Sequence, residues 1–150
     1  MEARREPLRR LVLDTSVIVK AVRNFRGASA ALIEATAQGK VQALGSTTLW
    51  LEYEAVVKRP EHWVWPGFGS EDAERFLDVL SAIATPISIQ FRWRGLLADP
   101  DDDMVLETAI NGGADALVTF NDQDFEPARR LLGLEVRRPA DILAKLRDVS

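Results

Sequence analysis

Hydrophobic positions along the chain alternate between short continuous runs and stretches with helical spacing. The run Leu11-Val12-Leu13 ends at an acid, and similar runs recur later in the chain. Short apolar runs of this kind indicate buried strands, whereas apolar residues three and four positions apart indicate helices. Strands are predicted at residues 10–14, 41–44, 86–89, 116–119 and 134–136. Helical spacing fills the segments between them, including residues 47–58, 71–82, 102–111, 124–132 and 139–146.

This alternation predicts the fold class. Strands that alternate with helices form a parallel sheet covered by helices on both faces, so we expect an α/β fold of three layers (α/β/α) with a central parallel sheet of about five strands. The chain has 150 residues, of which 47% are hydrophobic. This length favours a single domain, and we assign residues 1–150 to it.

The composition excludes several kinds of site. The chain has no Cys and a single His, His62, so neither a disulfide framework nor the usual zinc site is expected. The first ten residues, MEARREPLRR, mix charges with Pro and do not resemble a signal peptide or a membrane anchor. We therefore expect a cytoplasmic protein with no membrane association. The net charge is −4, which argues against a uniformly basic nucleic-acid coat.

Two acids stand directly after predicted strands. Asp14 follows the first strand, and Asp124 lies shortly after the strand at residues 116–119. Sites in parallel sheets lie beyond the carboxyl ends of the strands. The ordinary interpretation is that each Asp caps the helix that follows it, and for either residue taken alone that interpretation is the better one.

A run of acids, Asp99-Pro100-Asp101-Asp102-Asp103, precedes the helix at residues 102–111. Acids at a helix N-terminus are stabilised by the helix dipole, so the run alone indicates no site. Helical phase separates its members, because Asp102 shares a face with the apolar residues three, four and seven positions later. We expect Asp102 to point inward and Asp103 to lie nearer the flank.

The third predicted helix carries two candidate acids. Glu52 has apolar residues at positions i−3, i+3 and i+4, whereas Glu54 lies between Trp50 and Val57. Helical phase favours Glu52 only slightly, and a charged helix edge is the ordinary interpretation of either residue.

Together, Asp14, Glu52, Asp102 and Asp124 are candidates for one acidic site. Carboxylates that converge without a basic partner repel each other, and each gains from protonation or from a cation. A site made of oxygen ligands alone suits Mg²⁺ or Mn²⁺. These ions contact phosphate oxygens, so phosphodiester hydrolysis is the natural chemistry.

Four segments, in this order and spacing, resemble the PIN-domain ribonucleases: LVLDTSVIV, LWLEYEAVVKRP, ADPDDDMVLETAINGGADALVTFNDQDF and RRPADIL. The resemblance covers roughly residues 9–145 and is greatest to the VapC-like toxins of bacterial toxin-antitoxin systems. It implies a small α/β/α fold and a Mg²⁺-dependent ribonuclease that cleaves single-stranded RNA. For the toxins it also implies a small antitoxin partner, and we expect a homodimer.

The resemblance assigns roles residue by residue. Asp14 matches the first acid of the family, and Ser16 matches the small polar residue that supports it. Glu52 matches the acid that opens the E-x-x-x-V motif, and Asp102 matches the acid after the D-P turn. In the T-x-N-x-x-D-F motif, Asp124 is the fourth acid, with Thr119 and Asn121 as supporting groups; many relatives have Asp at the position of Asn121.

Other functions remain open at this point. An aspartyl-phosphate phosphatase needs a second Asp two residues after the first, where this chain has Ser16. A receiver domain needs paired early acids, which are missing. A PIN nuclease that processes RNA without being a toxin, or a catalytically silent RNA-binding module, fits the same motifs.

Candidate RNA contacts are arginines near exposed aromatic residues. Trp63 and Trp65 lie in a loop where covering a core or an interface is the more frequent role. The other candidates are Arg23, Arg26, Arg92, Trp93 and Arg94.

Overall fold

Strands alternate with helices throughout the structure, a computed structural model that describes residues 8–149. The expectation about the amino-terminal segment concerns residues that lie mostly outside this range. The strands of the described range are β1 (Arg10–Leu13), β2 (Gln42–Gly45), β3 (Ala84–Pro86), β4 (Ala116–Val118) and β5 (Val136–Arg137). Its α-helices are α1 (Thr15–Arg23), α2 (Ala28–Ala37), α3 (Thr47–Val57), α4 (Ser70–Ile83), α5 (Asp103–Asn111), α6 (Glu126–Leu132) and α7 (Pro139–Val149).

The five strands form one parallel sheet in the order β3-β2-β1-β4-β5. Leu11 and Val12 of the central strand are fully buried. Because successive side chains of a strand point to opposite faces, this burial means that helices cover both faces of the sheet. The predicted α/β fold with a parallel sheet of about five strands is confirmed.

The third strand lies earlier than predicted. It spans Ala84–Pro86 and begins directly after α4, whereas the sequence pattern placed it at residues 86–89. The Ile87/Ile89 alternation suggested the later position. Thr85 precedes a proline, which restricts its backbone to extended conformations and favours the strand there. The Ile87 N–H adds one further bond, to the Gly45 carbonyl (2.8 Å), before the chain leaves the sheet.

The register of the sheet brings two segments together at its carboxyl edge. Leu13 pairs with Val118, so the residues that follow them, Asp14 and Thr119, are neighbours. The Asp14 N–H continues the ladder by donating to the Val118 carbonyl (2.9 Å).

A buried pair of hydroxyls links α3, the helix after β2, to α5, the helix before β4. The side chains of Ser46, the N-cap of α3, and Thr108 of α5 are 2.7 Å apart. Ser46 also accepts a hydrogen bond from the Leu49 N–H (3.2 Å), which caps α3. Within the described residues, the helices are all too short or too polar to cross a membrane.

Candidate active site

Asp14 is the most firmly held acid at the carboxyl edge of the sheet. Its side chain is 3% exposed, and its Oδ2 accepts hydrogen bonds from the hydroxyls of Thr119 (2.7 Å) and Ser16 (2.8 Å). The Thr119 hydroxyl in turn accepts the Asn121 N–H (2.9 Å), and the Ser16 hydroxyl accepts the Phe120 N–H (3.2 Å). This network orients one oxygen of Asp14. The other oxygen, Oδ1, has only a long 3.5 Å contact with the Thr15 hydroxyl.

The geometry of Asp14 does not support a capping role. Asp14 is the N-cap residue of α1 by position, but its side chain accepts no hydrogen bond from the backbone of that helix. A capping Asp uses its carboxylate for the free N–H groups of the first turn. Here the carboxylate accepts a hydrogen bond from Thr119, in the segment after β4, so its hydrogen bonds do not cap α1.

Asp102 lies in an environment dominated by other acids. It ends a 3₁₀ turn, Pro100–Asp102, and is the N-cap of α5 without a side-chain capping bond. Partial burial and the neighbouring charges of Asp14, Asp99, Asp124 and Asp101, in decreasing order of effect, raise the pKa of Asp102 to about 7. The structure therefore brings Asp14 and Asp124 each within electrostatic range of Asp102.

Asp124 is exposed and lies in the 3₁₀ turn Asp122–Phe125, before α6. The N-cap of α6 is Phe125, so Asp124 is not the cap of that helix. The nearby acid Asp122 is engaged elsewhere, since it forms an ion pair with Arg138 (3.1 Å). Hydrogen bonding to this guanidinium lowers the pKa of Asp122. The side chain of Asp124, in contrast, has no hydrogen bond or ion pair with any residue that the structure describes.

Glu52 and Glu54 differ in their partners. Glu54 forms an ion pair with Lys58 (3.7 Å), one turn later on α3. The half-buried side chain of Glu52 has no hydrogen bond or ion pair with any residue between 8 and 149. Glu52 is also absent from the charges that shift Asp102. Its place in the site stays a prediction.

Asp103 corrects one expectation from helical phase. It was placed near the flank of α5, but it is only 8% exposed, and its buried Oδ1 has no hydrogen-bond partner among the described residues. Asp103 shares a helix face with Glu107 and Asn111, which lie four and eight positions later. The backbone of residues 90–93 is bound along this face, which is why a face that does not pack on the sheet is buried as well.

Tyr53 is a residue of the site that the sequence analysis missed. Its hydroxyl donates a hydrogen bond to the Leu13 carbonyl, directly before Asp14. Burial, followed by the charge of Asp14, raises the pKa of the Tyr53 phenol far above its usual value, so it remains a donor at all ordinary pH values. Its position between Glu52 and Glu54 on the apolar side of α3 is the sequence signal that indicates this contact.

The acids fit a hard divalent cation by their chemistry. All candidate ligands are carboxylate oxygens, and every charged group that shifts the pKa of Asp102 is another carboxylate. Within residues 8–149, however, no three acidic or His side chains are already arranged to enclose an ion. The chemistry of the donor set therefore suits the ion, although these side chains do not already surround one.

Comparisons with known proteins agree with this description. In fold, the chain is similar to the crystal structure of VapBC2 from Rickettsia felis bound to a DNA fragment from their promoter, with a TM-score of 0.59 and 18% sequence identity over 85% of this chain and 97% of that chain. A comparison with curated proteins gives no match. The PIN domain family matches residues 10–123, a range that includes Asp14, Glu52 and Asp102 and ends just before Asp124. Because this match spans most of the sequence, the chain belongs to the PIN domain family, whose members are generally nucleases and typically use divalent metals.

Proposed function

We propose that the protein is a Mg²⁺- or Mn²⁺-dependent endoribonuclease that cleaves single-stranded RNA by hydrolysis. The observation that carries this proposal is the buried Asp14 carboxylate, held at the edge of the sheet by Ser16 and Thr119 with one oxygen left over. The charges of Asp14 and Asp124 also raise the cost of ionising Asp102. Such an arrangement is unfavourable by itself and becomes favourable when a cation binds. Membership of a nuclease family supports phosphodiester hydrolysis as the reaction.

Asp14, Asp102 and Asp124 are the proposed principal ligands, and Glu52 either completes the set or orients the attacking water. When bound, Mg²⁺ or Mn²⁺ supplies positive charge that neutralises phosphate oxygens and lowers the pKa of water. Ser16 and Thr119 fix Asp14 through Oδ2, which leaves Oδ1 for the ligand. Asn121 supports this arrangement through its backbone N–H, which donates to the Thr119 hydroxyl.

The central test measures both cation binding and cleavage. Purified protein is expected to cut a single-stranded RNA in Mg²⁺ or Mn²⁺ and not in EDTA, and Mg²⁺ is expected to raise its melting temperature. The Asp14→Asn variant, purified in parallel, controls for contaminating nuclease and should show neither effect. Equal cleavage in EDTA, or by Asp14→Asn, would contradict the metal mechanism; RNA binding without cleavage would favour a catalytically silent module.

The proposal extends to the biological role: the protein is the toxin of a toxin-antitoxin pair, acts in the cytoplasm, forms a homodimer and is inhibited by a small antitoxin. The similarity in fold to VapBC2 supports this role. Exposed apolar side chains such as Phe25 and Val64 offer surface for protein partners.

Induction in a bacterial host tests the toxin role. Growth arrest is expected, together with rescue by the product of a neighbouring gene, and light scattering should give the mass of a dimer. Normal growth despite ribonuclease activity in vitro would favour an RNA-processing role. Arrest that persists with Asp14→Asn would show that toxicity does not come from this site.

A further inference from the structure

Two surface regions of the protein combine aromatic rings with arginines. One surrounds the loop at residues 60–70. The other is the FRWR segment, residues 91–94, which precedes the acidic turn before α5. The two regions differ in what their rings contact, and this difference separates a packed cluster from an open binding surface.

In the first region the rings pack on one another. Phe25 stacks on Trp65, with centroids 5.5 Å apart, and Phe68 lies near both Phe25 (5.7 Å) and Trp63 (6.2 Å). The guanidinium of Arg26 lies over the ring of Trp65. These ring faces are already occupied, as in a small core.

In the FRWR segment the rings do not pack on other rings of the described residues. Phe91 is 68% exposed and Trp93 is 38% exposed, and neither ring contacts another ring within residues 8–149. In the same range the exposed guanidinium of Arg92 has no hydrogen bond or ion pair. Arg94 has one ion pair, to Glu107 (3.6 Å), and its side chain remains 66% exposed.

The backbone of the segment is nevertheless held in place. The Asn111 side chain accepts the N–H groups of Gln90 (2.7 Å) and Phe91 (2.8 Å) and donates to the Phe91 carbonyl (2.7 Å). Glu107 accepts the Trp93 N–H (3.1 Å). Side chains on a fixed backbone lose little conformational entropy when they bind a ligand, which favours binding.

The anchors of the segment also set its distance from the acids. Asn111 and Glu107 lie on α5, whose N-cap is Asp102. At a rise of 1.5 Å per residue, Glu107 is about 7.5 Å from Asp102 along the helix axis, and Asn111 is about 13.5 Å away. The FRWR segment therefore lies beside the helix whose N-cap is Asp102, about one and a half to two and a half turns from that acid along the axis.

We infer that the FRWR segment binds the single-stranded RNA as it leaves the acidic site, with Trp93 and Phe91 stacking on bases and Arg92 and Arg94 contacting phosphates. Exposed aromatic residues interleaved with cations are the features that bind single strands without sequence preference. The positive charge of the segment complements a phosphate backbone and would oppose a basic protein partner. The inference rests on the proposed ribonuclease function for the identity of the ligand.

The test measures binding without cleavage. A fluorescein-labelled single-stranded 12-mer of uridine is titrated with protein in EDTA, and the dissociation constant is read from anisotropy. We expect Trp93→Ala to weaken binding about tenfold, Phe91→Ala several-fold, and Trp93→Phe to restore most of the loss. Arg92→Ala should reduce the slope of log K against log salt by about 0.7. Phe25→Ala and Arg130→Ala are matched controls from other surfaces and should bind like the wild type.

Two further measurements keep the result unambiguous. Melting curves establish that each variant folds. If Trp93→Ala does not fold, the affinity of Phe91→Ala still tests the inference, because the Phe91 ring is the more exposed of the two. Cleavage by the variants in Mg²⁺ should show a raised KM with little change in kcat.

Each outcome decides one of the two proposals. Wild-type affinity in Phe91→Ala and in a folded Trp93→Ala would overturn the inference, and so would the absence of RNA binding by the wild type. A variant of the segment that has the mass of a monomer in solution but binds RNA like the wild type would also overturn it. Binding that depends on the segment, without any cleavage by the wild type, would support the inference and contradict the ribonuclease function. Cleavage by the wild type, with a KM that the variants leave unchanged, would support the ribonuclease function and contradict the inference.

Discussion

The candidate active site has two halves that differ in how firmly the protein holds them. In the anchored half, buried Asp14 is fixed by the hydroxyls of Ser16 and Thr119. In the open half, the side chains of Asp102, Asp124 and Glu52 form no hydrogen bond or ion pair with any residue between 8 and 149. The contrast teaches that the fold orients one acid in advance, whereas the others depend on what binds between them.

The substitution with the largest expected effect replaces Asp14, the acid of the anchored half. We expect Asp14→Asn to lower RNA cleavage at least about 100-fold, since the anchored ligand loses its charge. Its melting temperature in EDTA should be equal to or higher than that of the wild type. The amide oxygen still accepts the two hydroxyls, and repulsion with Asp102 disappears. Unfolding of this variant would mean that the charge of Asp14 is needed for the fold.

The anchor itself is tested by removing the hydroxyl that spans the sheet. Thr119→Val should lower the free energy of unfolding by about 2 kcal/mol, because the buried Asp14 carboxylate and the Asn121 N–H each lose a partner. Urea unfolding measures this change. Thr15→Val, whose hydroxyl is 3.5 Å from Asp14, is the control and should cost much less. Equal effects of the two variants would show that Asp14 is not held by the Thr119 hydroxyl.

Within the open half, Glu52 and Glu54 provide a matched pair. Glu52→Gln should lower cleavage about tenfold while leaving stability within about 0.5 kcal/mol of the wild type. Glu54→Gln, which removes only an exposed ion pair with Lys58, should change neither quantity appreciably. Steady-state cleavage and thermal melting decide the comparison, and the opposite ranking would assign the site to Glu54.

The smallest expected effect is a pH-dependent gain of stability. Because the folded-state pKa of Asp102 is raised to about 7, ionising this acid costs the folded protein stability as pH rises from about 4 through 7. Asp102→Asn avoids that cost, so its free energy of unfolding at pH 8 should exceed that of the wild type by about 1 kcal/mol, a value that allows for solvent screening. At pH 4 the two proteins should differ by almost nothing. Melting curves in EDTA at the two pH values measure it, with the exposed Asp78→Asn, on α4, as control. A gain equal at both pH values would exclude charge repulsion as its cause.

Much of this arrangement is predictable from the sequence because it follows from local patterns. The buried run before Asp14 predicts both a strand and the acid at its end. Helical phase predicts an inward Asp102 and a flanking Asp103, whereas Asp103 is the more buried of the two. What could not be predicted depends on tertiary contacts. The position of β3 depends on its pairing with β2, in which Ala43 pairs with Ala84. The burial of Asp103 depends on the backbone of residues 90–93, which is bound along the same face of α5.

The hydroxyl contact between Thr119 and Asp14 joins residues 105 positions apart, and this separation has a consequence for synthesis of the protein. Asp14 is translated 105 residues before its anchor, Thr119, and Asp124 follows that anchor. The loop between them must close before β1 and β4 can pair. The acids therefore remain apart until Asp124 has been translated and β1 has paired with β4, so that a shorter nascent chain does not carry the proposed nuclease site beside the RNA from which it is being translated.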